Sequence, residues 1–376
     1  MSDDEDEGDG GAEAPLLLPP RENPDLIGHG AAEEAFLACW RSGRMPHAWL
    51  ITGPRGVGKA TLAFRFARFL LAQPEASGGL FADASRALHF SPEQRVFRLV
   101  ASGGHPDLLV VERGIDPRRK RRRSEVVVDD TRKISTFLRL TAAEGGWRVV
   151  ILDEADQMNA NAANAVLKIL EEPPKQAVLM LLSDNPGRLL PTIRSRCRIL
   201  ALKPLARAEI VAALERYRPE LGGVERAEIA ALAGGSIGRA LTLAASDGLA
   251  RYRDMARLLA RLPELDAEKA SDFADEISRA GAEDAWALVA ELLPGWVARM
   301  VALAGGGTAS AVLPGEDAAM RALGARRSPD QWVGVWENLN HLFHEADSVN
   351  LDRKQAVLNA FFALEAAARA PAGERP

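Results

Sequence analysis

Cysteine and long apolar runs are both scarce in this chain of 376 residues. The two cysteines, Cys39 and Cys197, exclude a disulfide framework and fit a reducing compartment such as the cytoplasm. No uncharged apolar run approaches the roughly 18 residues of a membrane span, and residues 16–18 are too short for the apolar part of a signal peptide. We therefore expect a soluble, cytoplasmic protein with no membrane partner.

Basic residues are absent from positions 1–20, which contain seven of the 52 acidic residues. The formal net charge is −5, so the rest of the chain is close to neutral. An acidic, glycine-rich start of this kind predicts a disordered tail over residues 1–22, and a second tail is expected over 370–376. The length predicts two or three domains, and the 47% hydrophobic content is enough to form their cores.

A hydroxyl is missing from the clearest motif in the sequence. Residues 53–60 read GPRGVGKA, a phosphate-binding loop in which Ala60 stands where Ser or Thr is expected. The residues that would hold phosphates are Gly53, Gly56, Gly58 and Lys59. The absent hydroxyl normally holds Mg²⁺. Thr61 lies about 100° further round the helix and is not expected to replace it.

The sequence on both sides of the loop has the pattern that such a motif needs. Residues 47–52 predict a short buried strand, and residues 61–71 predict an amphipathic helix. An ordinary turn that happens to contain three glycines is the alternative. The strand before the loop and the helix after it favour the phosphate-binding interpretation.

Two carboxylates follow a second apolar run. Residues 147–152 predict a parallel strand that is buried on both faces, and Asp153 and Glu154 come directly after it. Ligands of open α/β sheets bind beyond the carboxyl ends of such strands. Asp153 could hold Mg²⁺, and Glu154 could orient an attacking water. Without the phosphate-binding loop upstream, an ordinary turn would explain the pair equally well.

Strands and helices continue to alternate after the acidic pair. A helix is predicted over residues 159–172, with Asn159 as its cap, and a buried strand is predicted over 177–182. The polar residues 183–186 follow that strand and could face a nucleotide. This alternation predicts an α/β fold with a parallel sheet and helices on both faces.

Arginine is concentrated in two places. The first, residues 118–123 (RRKRRR), lies between predicted strands at 108–111 and 126–128, so a solvated hairpin-like connection is favoured over contact with nucleic-acid phosphates. The second includes Arg194, Arg196 and Arg198. Such arginines are usually solvated, but in an NTPase assembly one of them can reach the γ-phosphate bound by a neighbour, as an arginine finger.

The last third of the chain is predicted to be all helical. Two apolar stripes have the spacing of helix packing. The first stripe consists of Trp286, Val289, Leu293, Trp296 and Met300, and the second of Trp332, Trp336, Leu339 and Phe343. His341 and His344 lie on the second helix, and its packing stripe favours an ordinary helix over a metal site.

Several motifs together resemble those of bacterial clamp-loader subunits of the AAA+ class. They are residues 104–108 (GHPDL), 153–156 (DEAD), 162–174 (AANAVLKILEEPP), 195–197 (SRC) and 350–356 (NLDRKQA). The similarity runs from about position 24 to 369. It implies a P-loop AAA+ domain with a parallel sheet over residues 23–204, a small helical lid over 205–250 and an all-α collar over 251–369.

The resemblance also implies a role for individual residues. The glycines and Lys59 would form the phosphate loop, with Asp153 and Glu154 as the acidic pair. Ser183 or Asp184 would occupy the sensor-1 position. The remaining roles fall to two arginines: Arg196 would be the finger for an ATP site on the adjacent subunit, and Arg239 would be the sensor-2 arginine of the lid.

The chain departs from the family pattern in two ways. Residues 72–104 contain no cysteine, whereas many relatives carry a four-cysteine zinc module there, so we expect no structural zinc and no other metal site. Motor subunits of the family keep Thr where this chain has Ala60. This difference favours a non-motor subunit that binds ATP or ADP with Mg²⁺ weakly and works with other clamp-loader subunits, the sliding clamp and primed DNA.

Two alternatives stay open at this level. The first is an active clamp-loader ATPase, which the nearly complete phosphate loop permits. The second is a DNA-binding adaptor without loader partners, which the near-neutral charge disfavours.

Overall fold

The computed structural model describes residues 18–73, 88–115, 123–144, 146–279, 282–307, 311–349 and 351–369. The chain divides into two compact units. The first is formed by Met1–Arg218 and Gly235–Arg239, and the second by Pro219–Gly234 and Ala240–Pro376. The predicted tail at 370–376, most of the predicted acidic tail and residues 118–122 of the basic stretch lie outside the described residues.

A five-stranded parallel sheet forms the centre of the first unit. Its strands are β1 (Ala48–Thr52), β2 (Leu108–Val111), β3 (Arg148–Leu152), β4 (Ala177–Ser183) and β5 (Arg198–Ala201). They lie in the order β2-β3-β4-β1-β5, and every neighbouring pair is parallel. The carboxyl ends of β1, β4 and β3 are therefore adjacent, which brings the segments that follow them together.

Helices cover both faces of this sheet. They are α1 (Gly30–Arg41), α2 (Lys59–Leu71), α3 (Arg95–Ala101), α4 (Val128–Arg139), α5 (Ala160–Glu171), α6 (Pro191–Arg194) and α7 (Arg207–Tyr217). Along β1, Trp49 and Ile51 face the core that includes α1 and α2, whereas Ala48 and Leu50 face the core that includes α4 and α5. Burial on both faces explains why β1 reads as a continuous apolar run.

Two buried arginines of α2 fix the segment that precedes α1. Arg68 is 1% exposed, and its guanidinium donates to the carbonyl oxygens of Arg21 (2.5 Å) and Asn23 (3.1 Å). Arg65 donates to the carbonyl oxygen of Pro24 at 2.6 Å. Burial lowers the pKa of Arg68 to about 10, and the nearby charge of Arg65 acts in the same direction. Both arginines keep partners for their buried charge, as the cost of burial requires.

The structure confirms most of the predicted elements around the site and corrects one. The predicted strands at 47–52, 108–111, 147–152 and 177–182 correspond to β1, β2, β3 and β4. The predicted cap of α5 is also confirmed, since the Asn159 side chain accepts a hydrogen bond from the N–H of Ala162 at 3.0 Å. The predicted strand at 126–128 is wrong: Val126 makes only an isolated bridge with Met158, and α4 begins at Val128.

The regular secondary structure among the described residues of the second unit is all helical, as predicted for the end of the chain. Its helices are α8 (Gly223–Leu232), α10 (Gly248–Leu259), α11 (Ala267–Ser278), α12 (Glu283–Ala304), α13 (Glu316–Gly324), α14 (Pro329–Val349) and α15 (Arg353–Arg369). Helix α9 (Ile237–Ala245) is divided between the two units. Apart from the half-buried Trp336, every member of the two predicted stripes is buried.

Helix α12 is long and apolar enough, by length and composition, to span a membrane. Half of its most apolar window is buried inside the unit, where the helix packs against α10, α11, α13 and α14. Core helices of soluble proteins have the same properties. The packing therefore explains the composition of α12.

A buried polar network joins three of these helices. The carboxylate of Glu316, on α13, accepts hydrogen bonds from the Tyr252 hydroxyl and from the N–H groups of Val312 (2.8 Å) and Leu313 (3.2 Å). The Arg299 guanidinium, on α12, donates to the Tyr252 hydroxyl and lies 3.4 Å from Glu316. Burial raises the pKa of Tyr252, so the phenol stays protonated as the donor to Glu316.

Candidate nucleotide site

The phosphate-binding loop connects β1 to α2, which begins at Lys59. Two of its glycines are required by their surroundings as well as by their backbone angles. A Cβ atom on Gly53, where φ is 151°, would lie 2.7 Å from the carbonyl oxygen of Leu202. One on Gly56, where φ is 72°, would lie 2.5 Å from the Ser236 hydroxyl. Gly58 also has positive φ, at 113°, and caps α2. The loop therefore needs glycine where the motif has it.

The ammonium group of Lys59 is held inside the protein. Its side chain is only 8% exposed, and its Nζ donates to the carbonyl oxygens of Gly53 and Pro54, at 2.9 Å each. It also donates to the carboxylate of Asp184, which follows β4. The lysine predicted to bind phosphate is thus correctly placed at the loop, but it is engaged by protein groups.

The predicted acidic pair lies at the end of β3. Burial is the main cause that raises the pKa of Asp153, and the charges of Glu154 and Glu112 add to it. The N–H of Glu154 donates to Asp153 at 2.8 Å and opposes the rise. Glu154 itself has a left-handed backbone, with φ of 50°. The two carboxylates therefore lie directly after the carboxyl end of β3, where the sequence predicted them.

Arg113 engages Glu154 directly. Its Nε and Nη2 atoms lie 2.5 and 2.6 Å from the two carboxylate oxygens of Glu154. Such a two-pronged pair is a strong, oriented interaction. Sequence analysis missed Arg113 because no motif marks it; the signal that could have revealed it is its position just after β2, the strand next to β3.

The two candidates for the sensor-1 position have different surroundings. Asp184 contacts Lys59, as described above, and its backbone N–H donates to the buried Asp156 at 3.2 Å. Ser183 is 1% exposed, and among the described residues its hydroxyl has no hydrogen-bond partner. Asp184 is thus the candidate that meets the phosphate loop.

The segment carrying Arg239 also reaches the phosphate loop. The N–H of Gly238 donates to the carbonyl oxygen of Gly56 at 2.9 Å, and the Ser236 hydroxyl accepts from the N–H of Arg239 at 3.1 Å. The structure therefore brings the start of α9 to the phosphate loop.

Arg196 lies apart from this cluster, and its contacts with the described residues are made elsewhere on the first unit. It lies between α6 and β5, and its side chain is 37% exposed. Its guanidinium donates to the carbonyl oxygen of Thr192 at 3.1 Å and pairs with Glu171 at 3.0 Å. These contacts belong to the surface of the unit and not to the phosphate loop.

Comparison with known proteins relates this arrangement to a family. Residues 28–206 match the family described as "DNA polymerase III, delta subunit". DNA polymerase III subunit delta' of Pseudomonas aeruginosa is 39% identical over 190 residues, which cover 50% of this chain and 53% of that protein. The Escherichia coli protein of the same name is 33% identical over 231 residues, with coverage of 60% and 63%. Residues 28–206, just under half of the chain, are therefore similar to DNA polymerase III delta-prime subunits.

The delta-prime relatives are matched over only part of their length, from about half to somewhat under two thirds in these two cases. The tau subunit of the E. coli polymerase is also similar, with 28% identity over 281 residues covering 72% of this chain and 40% of that protein. The higher identities are those of the delta-prime relatives.

Cys197, in the motif SRC at residues 195–197, should be unreactive at neutral pH. Burial raises the pKa of its thiol from 9.0 to about 12. Because the thiolate is the reactive form, we expect the thiol to react about 1000-fold more slowly than an ordinary cysteine at pH 8. The rate of modification by a disulfide reagent measures this, with the denatured chain as the control. Equal rates in folded and denatured protein would contradict the prediction.

The raised pKa of Cys197 also determines how the free energy of unfolding changes with pH. The folded state holds the proton of Cys197 more tightly than the unfolded state, so its contribution to the free energy of unfolding is complete below about pH 9. It should be lost as the pH rises towards 12.

Proposed function

We propose that this chain is a non-motor, delta-prime-type subunit of a bacterial clamp loader that acts in DNA replication in the cytoplasm. It would assemble with other clamp-loader subunits, and through that complex it would act on the sliding clamp and primed DNA. The proposed division is an AAA+ domain over residues 23–204, a lid over 205–250 and a collar over 251–369. The delta-prime relatives named above support this proposal.

The main support for the proposal is a contrast between two parts of the first unit: Arg196 is exposed, whereas the phosphate loop is incomplete. Arg196 is half-exposed at the surface, and a partner could replace its contacts with the Thr192 carbonyl oxygen and the Glu171 carboxylate. The loop itself lacks a hydroxyl at Ala60. The catalytic contribution of this subunit would therefore be made in trans, with Arg196 completing an ATP site on a neighbouring subunit.

The chain's own site fits a phosphate group better than a catalytic Mg²⁺·ATP complex. The glycines and Lys59 have the positions of a phosphate cradle, and Asp153 and Arg239 lie around it. The hydroxyl that would ligate Mg²⁺ is absent at Ala60, and Glu154 is paired with Arg113. We propose that ATP or ADP with Mg²⁺ binds weakly here and is not turned over, and that no structural zinc is needed.

ATP hydrolysis by the isolated, full-length chain tests this proposal. We expect no measurable turnover above that of a Lys59→Ala variant, because the loop lacks its Mg²⁺ ligand and Lys59 is already engaged. Steady-state phosphate release measures the rate. Robust turnover that Lys59→Ala abolishes would instead identify an active clamp-loader ATPase.

A further inference from the structure

Asp184 lies where it can meet the phosphate loop because of the register of the sheet. Its neighbour Ser183 is the last residue of β4 and lies opposite Thr52, the last residue of β1. The residues that follow these two, Asp184 and Gly53, therefore leave the sheet side by side. The carboxylate of Asp184 accepts a hydrogen bond from the Nζ atom of Lys59.

The contact with Asp184 occupies the third and last N–H donor of the Lys59 ammonium group. An ammonium group carries three N–H bonds. Two of them point to the carbonyl oxygens of Gly53 and Pro54, at 2.9 Å each, and the third is directed at Asp184. The two carbonyl contacts belong to the loop itself. A phosphate oxygen would thus have to take the place of the carboxylate.

The backbone of Asp184 is held by a hydrogen bond in which its side chain takes no part. Its backbone N–H donates to Asp156, a buried residue of the acidic motif, at 3.2 Å. Its own side chain is 44% exposed, whereas that of Lys59 is 8% exposed. The carboxylate is therefore held at the mouth of the loop, where its negative charge would lie beside any bound phosphate.

We propose that the carboxylate of Asp184 is a built-in anion that occupies Lys59 and weakens the binding of nucleotide at the phosphate loop. The ligand whose binding it weakens is a nucleoside di- or triphosphate, through its phosphate groups. This inference rests on the proposed non-motor function. It adds a second reason for weak nucleotide binding to the first, which is the missing hydroxyl at Ala60. The two causes are separable: Ala60 removes an Mg²⁺ ligand, whereas Asp184 removes a phosphate ligand.

Nucleotide affinity of an Asp184→Asn variant tests the inference. The amide keeps the size of the side chain and the backbone contact with Asp156, but it removes the negative charge. Calorimetric titration of the full chain with ADP and with ATP should show binding about 10- to 100-fold tighter than in the unmodified chain. Hydrolysis should stay unmeasurable, because Ala60 is unchanged.

Three further variants make the result specific. Lys59→Ala in the Asp184→Asn background should remove the gain, since the released ammonium group is its cause. Asp129→Asn is the matched control: Asp129 is 75% exposed, pairs with Arg132 at 2.9 Å, and should give unchanged affinity. An Asp184→Ser variant, which also lacks the charge, should repeat the gain if the amide disturbs folding.

Unchanged nucleotide affinity in folded Asp184→Asn and Asp184→Ser variants would overturn the inference. So would an equal gain in Asp129→Asn. Neither result bears on the proposed function, which fails instead if the unmodified chain hydrolyses ATP robustly. The two ideas are therefore tested by different measurements. Nucleotide affinity of the Asp184 variants tests the inference, and ATP hydrolysis by the unmodified chain tests the proposed function.

Discussion

ATP turnover by the assembled clamp loader should fall when Arg196 is replaced with alanine, while the subunit still assembles. An arginine finger is worth about 10³–10⁵ in kcat at the site that it completes. We expect turnover at the neighbouring site to fall at least about 1000-fold, so the complex loses the share of activity that this site contributes. The measurement is steady-state ATP hydrolysis by the reconstituted complex, with size-exclusion chromatography to verify assembly.

An arginine that is exposed on the same unit provides the control. Arg188 lies in the short 3-10 helix after β4, and it is also an arginine with an exposed side chain. Its replacement with alanine should leave both ATP turnover and assembly unchanged. If the Arg196→Ala complex kept the ATPase rate of the unmodified complex, the proposed role in trans would be wrong.

The second large effect is expected on stability. Glu316→Ala should lower the free energy of unfolding by about 2–4 kcal/mol, because it leaves the half-buried Arg299 without its carboxylate partner. It also removes the acceptor for Tyr252 and for the N–H groups of Val312 and Leu313. Urea denaturation followed by far-ultraviolet circular dichroism measures the change.

Glu337→Ala is the matched control for this substitution. Glu337 is exposed on α14, and changes at such positions usually alter stability by less than about 0.5 kcal/mol. Tyr252→Phe should fall between the two variants, since it removes the two hydrogen bonds of the hydroxyl but leaves the ion pair between Arg299 and Glu316 in place. A Glu316→Ala chain as stable as the Glu337→Ala chain would show that the network does not hold these helices together.

The central sheet could be predicted from the sequence because each strand carries a local signal. A strand buried on both faces has to be apolar along its whole length, and β1, β3 and β4 are. The same rule misled the prediction at residues 126–128, where three valines suggest a strand. The sequence nevertheless contained a signal of a helix start, which is the acidic residue at position 130. In the structure, the side chain of Asp130 accepts a hydrogen bond from the N–H of Val127 at 3.3 Å.

The site was predictable where a motif is local and was not where contacts join distant segments. The glycines and Lys59 form one stretch of sequence, and their place between β1 and α2 follows from it. The contacts of Glu154 with Arg113 and of Lys59 with Asp184 span 41 and 125 positions. They depend on the order and register of the strands, which no single stretch of sequence records.

The buried arginines of α2 also define where the first unit has to begin. The family match starts at residue 28, but Arg65 and Arg68 take their carbonyl partners from residues 21–24. A fragment that began at the family boundary would leave two guanidinium groups inside the core without these acceptors. The smallest portion of the chain able to fold as this unit therefore extends upstream of the region that sequence similarity marks.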